Sequence, residues 1–176
     1  MLRISLDEYR RRINALQTRI QTSELDLFIA SESDSIYYLT GATYEPLERP
    51  FFLLVAPEVP PRLLVPQLEH QHMKKASTVP SQDILTYWEY PATAGRGWPD
   101  RLRDLIGKAK SIGIEPGLRS EIAIELSAYG PRVVLLVEEL RLLKSEAEIA
   151  MVRRAARYAD FAVERLLARS YFLNPA

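Results

Sequence analysis

The stretch LDLFIA, residues 25–30, is a short apolar run interrupted only by Asp26, and it constrains the fold of this chain more than any other feature. A strand without polar alternation is buried on both faces, the habit of sheets covered by helices. Helix signals flank it. Upstream, Ser5 and Glu8 have capping-box spacing, and Leu6, Tyr9, Ile13, Leu16 and Ile20 repeat at three-four intervals that line one helix face. Downstream, SESDSIYYLTG offers helix-starting residues at 31–34 and a stop at Gly41, enough for one or two turns.

The alternation continues along the chain. FFLLVA (51–56) and RLLVP (62–66) predict two strands, and PEVPP between them predicts a hairpin with a stiff turn. Residues 67–76 read as helix, DILTYWEY (83–90) as strand and PATAGRGWP as loop. A helix is predicted over 99–110, with Pro99 in its first turn and Leu102, Leu105 and Ile106 inward. SIGIEP follows as a strand, then a helix over 117–129 carrying Ile122, Leu126 and Tyr129, then RVVLLV (132–137) as a further buried strand or strand-like run. The pattern predicts an α/β fold: a mixed sheet flanked by helices, spanning residues 1–143.

Residues 144–176 form a second part. Ser145 and Glu148 repeat the capping-box spacing, and Ile149, Val152, Ala156, Ala159, Val163 and Leu166 lie on one face of a long helix. A helix this one-sided needs a surface to lie on, so Ile149, Val152, Val163 and Leu166 are the expected interface.

Composition removes several chemistries. Lys plus Arg (23) equals Asp plus Glu (23), which disfavours nucleic-acid binding. Cysteine is absent, so disulfides, thiolate zinc sites and cysteine nucleophiles are excluded. No stretch approaches the ~20 apolar residues of a membrane helix and the N-terminus has no signal-peptide core, so no membrane association and a cytoplasmic location are expected. His70 and His72 are the only histidines and fall in a helical segment, where residues two apart diverge; both read as surface residues. Gly95-Arg96-Gly97 lacks the context of a phosphate loop, and Glu45 and Glu48 read as solvated loop acids. Arg49 stands out because it ends a loop bracketed by prolines and precedes a buried strand, where a scaffold can aim its guanidinium at a carboxylate. Tyr37 and Tyr38 are open between ligand contact and core.

Several segments together resemble one family. RLLKSEAEIAMVRRAARYAD resembles the segment joining the two domains of the creatinase/prolidase/Xaa-Pro aminopeptidase family, and IYYLTG resembles its Y-L-T-G stretch. The first helix with LDLFIA, and SIGIEP, are similar to further landmarks in the same order. The resemblance implies a ribonuclease-H-like creatinase N-terminal domain, with residues 144–176 as linker and first helix of a catalytic domain that the sequence does not contain. It implies two divalent metal ions (Mn, Co or Zn) in that second domain only, and no metal or cofactor in this chain. It implies a homo-dimer acting on proline-containing peptides, with Arg49 and Tyr38 touching substrate in trans and no catalytic residue of its own. The alternative expectation is a stand-alone protein- or peptide-binding module derived from the same family.

Overall fold

In the computed structural model, which describes residues 4–45, 47–89 and 91–173, the LDLFIA run becomes strand β1 (Leu27–Ala30), with every residue buried. Its start is fixed by Asp26, whose carboxylate accepts the backbone N–H groups of Lys110 and Ser111 at 2.8 and 3.0 Å. Two compact units are present.

The first unit, Leu6–Arg141, is built on a six-stranded sheet. Helix α1 (Leu6–Thr22) precedes β1, and α2 (Ser33–Thr40) follows it. The predicted hairpin is β2 (Phe52–Val55) with β3 (Arg62–Pro66). After a 3-10 turn come α3 (His70–Ala76), β4 (Ile84–Tyr87), α4 (Trp98–Ile106), β5 (Ile112–Ile114) and α5 (Ser120–Ser127). Strand β6 (Arg132–Val133) and helix α6 (Leu136–Leu142) complete the order. The strands lie as β4-β3-β2-β1-β5-β6. β2 alone runs against its neighbours, and the other pairs are parallel.

Side chains alternate across the sheet and create two cores. Phe28, Ala30, Leu53, Val55, Leu63 and Val65 face one side, under Leu16 and Ile20 of α1, Ile36 and Leu39 of α2, Met73 of α3 and Val137 of α6. Leu27, Ile29, Phe52, Leu54, Leu64, Ile112 and Ile114 face the other, under Leu102 and Ile106 of α4 and Ile122 and Leu126 of α5. Truncating such a leucine or isoleucine to alanine typically costs about 2–5 kcal/mol. In β5 the first core leaves no room for a side chain. A Cβ on Gly113 would stand 2.7 Å from Leu25 Cδ1 and 3.0 Å from Val134 Cγ2.

The Tyr38-Leu39-Thr40-Gly41 stretch is explained residue by residue. Tyr38 is buried with its ring 4.1 Å from the Arg12 guanidinium carbon, and its hydroxyl donates to the Leu140 carbonyl at 3.3 Å. Leu39 is fully buried. The Thr40 hydroxyl donates to the Ile36 carbonyl at 2.7 Å and accepts the Ala42 N–H. Gly41 ends α2 at φ 77°, and its N–H donates to the Tyr37 carbonyl.

One predicted strand is corrected. Residues 132–137 are not a continuous buried strand. β6 is two exposed residues at the sheet edge, and Leu136, Val137 and Leu140 then use helical spacing to reach the first core. A short apolar run serves either period, and here the edge position left no second strand to pair with. The 83–90 strand shortens to β4 because the Trp88 N–H donates to the Arg96 carbonyl, outside the sheet; Tyr90 lies outside the described residues.

The second unit is Met1–Ser5 with Leu142–Ala176. Its described element is α7 (Glu146–Leu173), and the second capping box forms: Glu148 N–H to Ser145 Oγ at 3.3 Å and Ser145 N–H to Glu148 Oε2 at 2.8 Å. Val152, Val163 and Leu166 are exposed and Ile149 is half-buried.

Gly41→Ala tests the turn after α2. The left-handed backbone costs a side-chain-bearing residue about 1–2 kcal/mol, and the new Cβ would sit 3.0 Å from the Tyr9 ring. A lower urea midpoint with unchanged slope is expected.

Candidate functional site

Strands β1, β3, β4 and β5 end at one edge of the sheet, and the residues entering the reversed strand β2 reach the same edge. Ligand crevices in α/β sheets gather at such carboxyl ends. Here the edge carries a groove of about 720 Å³ whose lining includes Glu48, Arg49, Pro50, Leu68, Trp88, Glu89, Pro91 and Trp98. Trp88 is half exposed at its rim, and Trp98, at the start of α4, tilts against the buried Phe52 with ring centroids 5.5 Å apart. Arg96, from the Gly95-Arg96-Gly97 loop, lies 5.8 Å over the Trp88 ring.

Arg49 reaches the groove from the loop joining α2 to β2, residues 41–51. That loop is held at many points. His72 Nε2 lies 2.8 Å from the Thr43 carbonyl, Tyr44 stacks on Phe51 at 3.9 Å, and Arg119 Nη1 donates to the Leu47 carbonyl at 2.9 Å. The Tyr87 hydroxyl donates to the Pro50 carbonyl at 2.9 Å; burial, with Glu89 beside it, pushes that phenol well above its ordinary range. Arg49 itself sits 3.7 Å from Glu48 Oε1 and 3.6 Å from Glu89 Oε1. Both separations are ion-pair distances too long for hydrogen bonds. The planar guanidinium therefore has two carboxylates near it without a hydrogen bond to either, and its donors are available to a ligand carboxylate, which it can take in bidentate fashion. Partly exposed pairs of this kind are worth up to about 1 kcal/mol, so exchanging one for a ligand costs little.

A second polar cluster lies at the same edge. Glu115, directly after β5, is buried, and its Oε2 accepts the N–H groups of Ser31 and Glu32 at 2.8 and 2.9 Å. Its Oε1 and the buried Tyr44 hydroxyl have no hydrogen-bond partner among the described residues. Burial raises the Glu115 pKa above the usual carboxylate value against the lowering effect of those N–H donors.

The sequence-predicted residues are dispersed. Arg49 lines the groove, whereas Tyr38 is packed inside the domain against Arg12. His72 is exposed and serves the loop. Among the described residues no three His, Cys, Asp or Glu side chains are grouped to hold a metal ion. No described helix is long and apolar enough to cross a membrane. Sequence reading missed Trp88, Trp98, Glu89 and Arg119. The one available signal was W-E near the carboxyl end of the predicted 83–90 strand.

The chain matches the creatinase/prolidase N-terminal domain over residues 12–154. It belongs to that family. The Xaa-Pro dipeptidase of Pyrococcus horikoshii is 27% identical over 147 residues, 80% of this chain and 37% of the relative. The dipeptidase PepE of Mycobacterium ulcerans superposes with a TM-score of 0.75 at 20% identity, over 95% of this chain and 44% of that one. The separately solved N-terminal domain of a Streptococcus pyogenes X-Pro dipeptidase gives 0.59 at 23% identity, over 70% of this chain and 98% of that one. This chain thus spans just over a third of the length of the curated relatives it matches. It is a creatinase/prolidase N-terminal domain, similar to those of the prolidase-like peptidases.

Because folding raises the Glu115 pKa, its contribution to stability is complete below the ordinary carboxylate value of about 4.3 and is lost as pH rises through the folded value. Glu115→Gln removes the charge. We expect the variant to flatten the fall in stability above that pH, measured by urea unfolding from acid to neutral conditions.

Proposed function

We propose that this chain acts as the non-catalytic N-terminal domain of an Xaa-Pro peptidase or prolidase-like metallohydrolase, where it serves assembly and substrate selection. The observation that carries the reading is family membership over residues 12–154, in a chain that covers 37% of an Xaa-Pro dipeptidase. The groove supports it chemically. Proline rings pack well on indole faces, and Trp88 and Trp98 line the same groove as an arginine whose donors can receive a peptide carboxylate. In this reading Arg49 meets a proline-containing peptide held in the active site of a partner subunit. Tyr38 supports the domain from within.

Hydrolysis belongs to two divalent metal ions, Mn, Co or Zn, in a second domain. No step runs through residues of this chain. The apolar stripe of α7, with Ile149, Val152, Val163 and Leu166, is assigned to the interface with that domain, and the assembly is a cytoplasmic homo-dimer.

The 176-residue chain, incubated with Mn²⁺, Co²⁺ or Zn²⁺ and Xaa-Pro dipeptides, is expected to release no proline above the metal-only control. Turnover that depends on the protein would contradict the assignment.

A further inference from the structure

Arg119 does not line the groove, yet it is fastened to the segment that aims Arg49. It comes from the connection between β5 and α5, and its Nη1 donates to the Leu47 carbonyl at 2.9 Å across 72 residues of sequence. Its Nη2 is paired with Glu121 Oε1 at 2.8 Å, which fixes the other arm of the guanidinium. Leu47 needs such a hold. Its φ is 44°, a left-handed conformation that a leucine adopts only under constraint. The next two residues are Glu48 and Arg49, so the backbone turn at Leu47 sets the direction in which both charged side chains leave the loop. The other anchors grip elsewhere: His72 at Thr43, the Phe51 ring at Tyr44 and Tyr87 at Pro50.

We propose that Arg119 is a positioning residue. By clamping the Leu47 carbonyl it holds the loop tip in its left-handed turn and keeps the Arg49 guanidinium over the Trp88–Trp98 groove, where it meets a substrate carboxylate. The substrate part of this statement rests on the function proposed above; the clamp does not.

The test uses the 176-residue chain with Arg119→Met, which keeps the stem and removes the donors, and Arg119→Lys, which returns one donor. In Arg119→Met, amide exchange at Leu47, Glu48 and Arg49 is expected to rise about five- to tenfold, the effect of one hydrogen bond. The urea midpoint falls by no more than the worth of that one bond, the Arg49 Nε–H resonance loses its order, and Arg119→Lys restores most of the protection. Unchanged exchange at the loop tip overturns the clamp. So does a fall in the urea midpoint well beyond that of one hydrogen bond with no rescue by lysine, because that is the signature of a merely structural arginine. Binding of an Xaa-Pro dipeptide separates the two ideas. If Arg49→Met leaves that binding intact, the groove reading fails, while loop exchange in Arg119→Met still decides the clamp.

Discussion

The rest of this domain depends on strand β1 being apolar on both faces. Four consecutive buried residues leave no side of the strand for water, so the chain has to place α1, α2 and α6 on one face and α4 and α5 on the other. Once β1 is central, its parallel partner β5 and reversed partner β2 determine where the loops emerge. The turn after β1, the Glu115 region after β5 and the loop before β2 all reach one edge, and the groove lies there as a consequence of strand order.

A second constraint acts through one buried charge. Arg12 is nearly inaccessible, yet its guanidinium donates to the Tyr38 carbonyl at 2.7 Å and to Glu8 at 3.1 Å while stacking on the Tyr38 ring. A buried arginine left without partners costs several kcal/mol, so this arrangement locks α1 to α2 in one register. It also explains why the Y-L-T-G stretch is a structural landmark. Its tyrosine, threonine and glycine each satisfy a local backbone or packing demand that fixes where the Arg49 loop begins.

Much of this architecture was legible in the sequence, and the failures have physical causes. β1, the β2–β3 hairpin, α1 and the capping box of α7 follow from period and capping residues, which are local. The 132–137 run misled because apolar residues in a short run suit strand or helix equally, and the choice was made by the sheet edge. Arg49 was visible through its prolines. Trp88, Glu89, Trp98 and Arg119 were not, since the groove is assembled by strand order from segments far apart in the chain. Arg12 was invisible for a different reason: on a helical wheel an arginine reads as surface, and only the approach of α2 buries it.

We propose that this domain selects substrate by presenting Arg49, in a groove it shares with two indoles, to the carboxylate of a proline-containing peptide. The most direct measurement is a titration of the isotope-labelled chain with an Xaa-Pro dipeptide and, separately, with its C-terminal amide, followed at the Arg49 Nε–H and the two tryptophan indoles. Saturable shifts are expected at all three with the free carboxylate, and a marked weakening with the amide. Equal binding of the two peptides, or shifts confined to other parts of the domain, would contradict it.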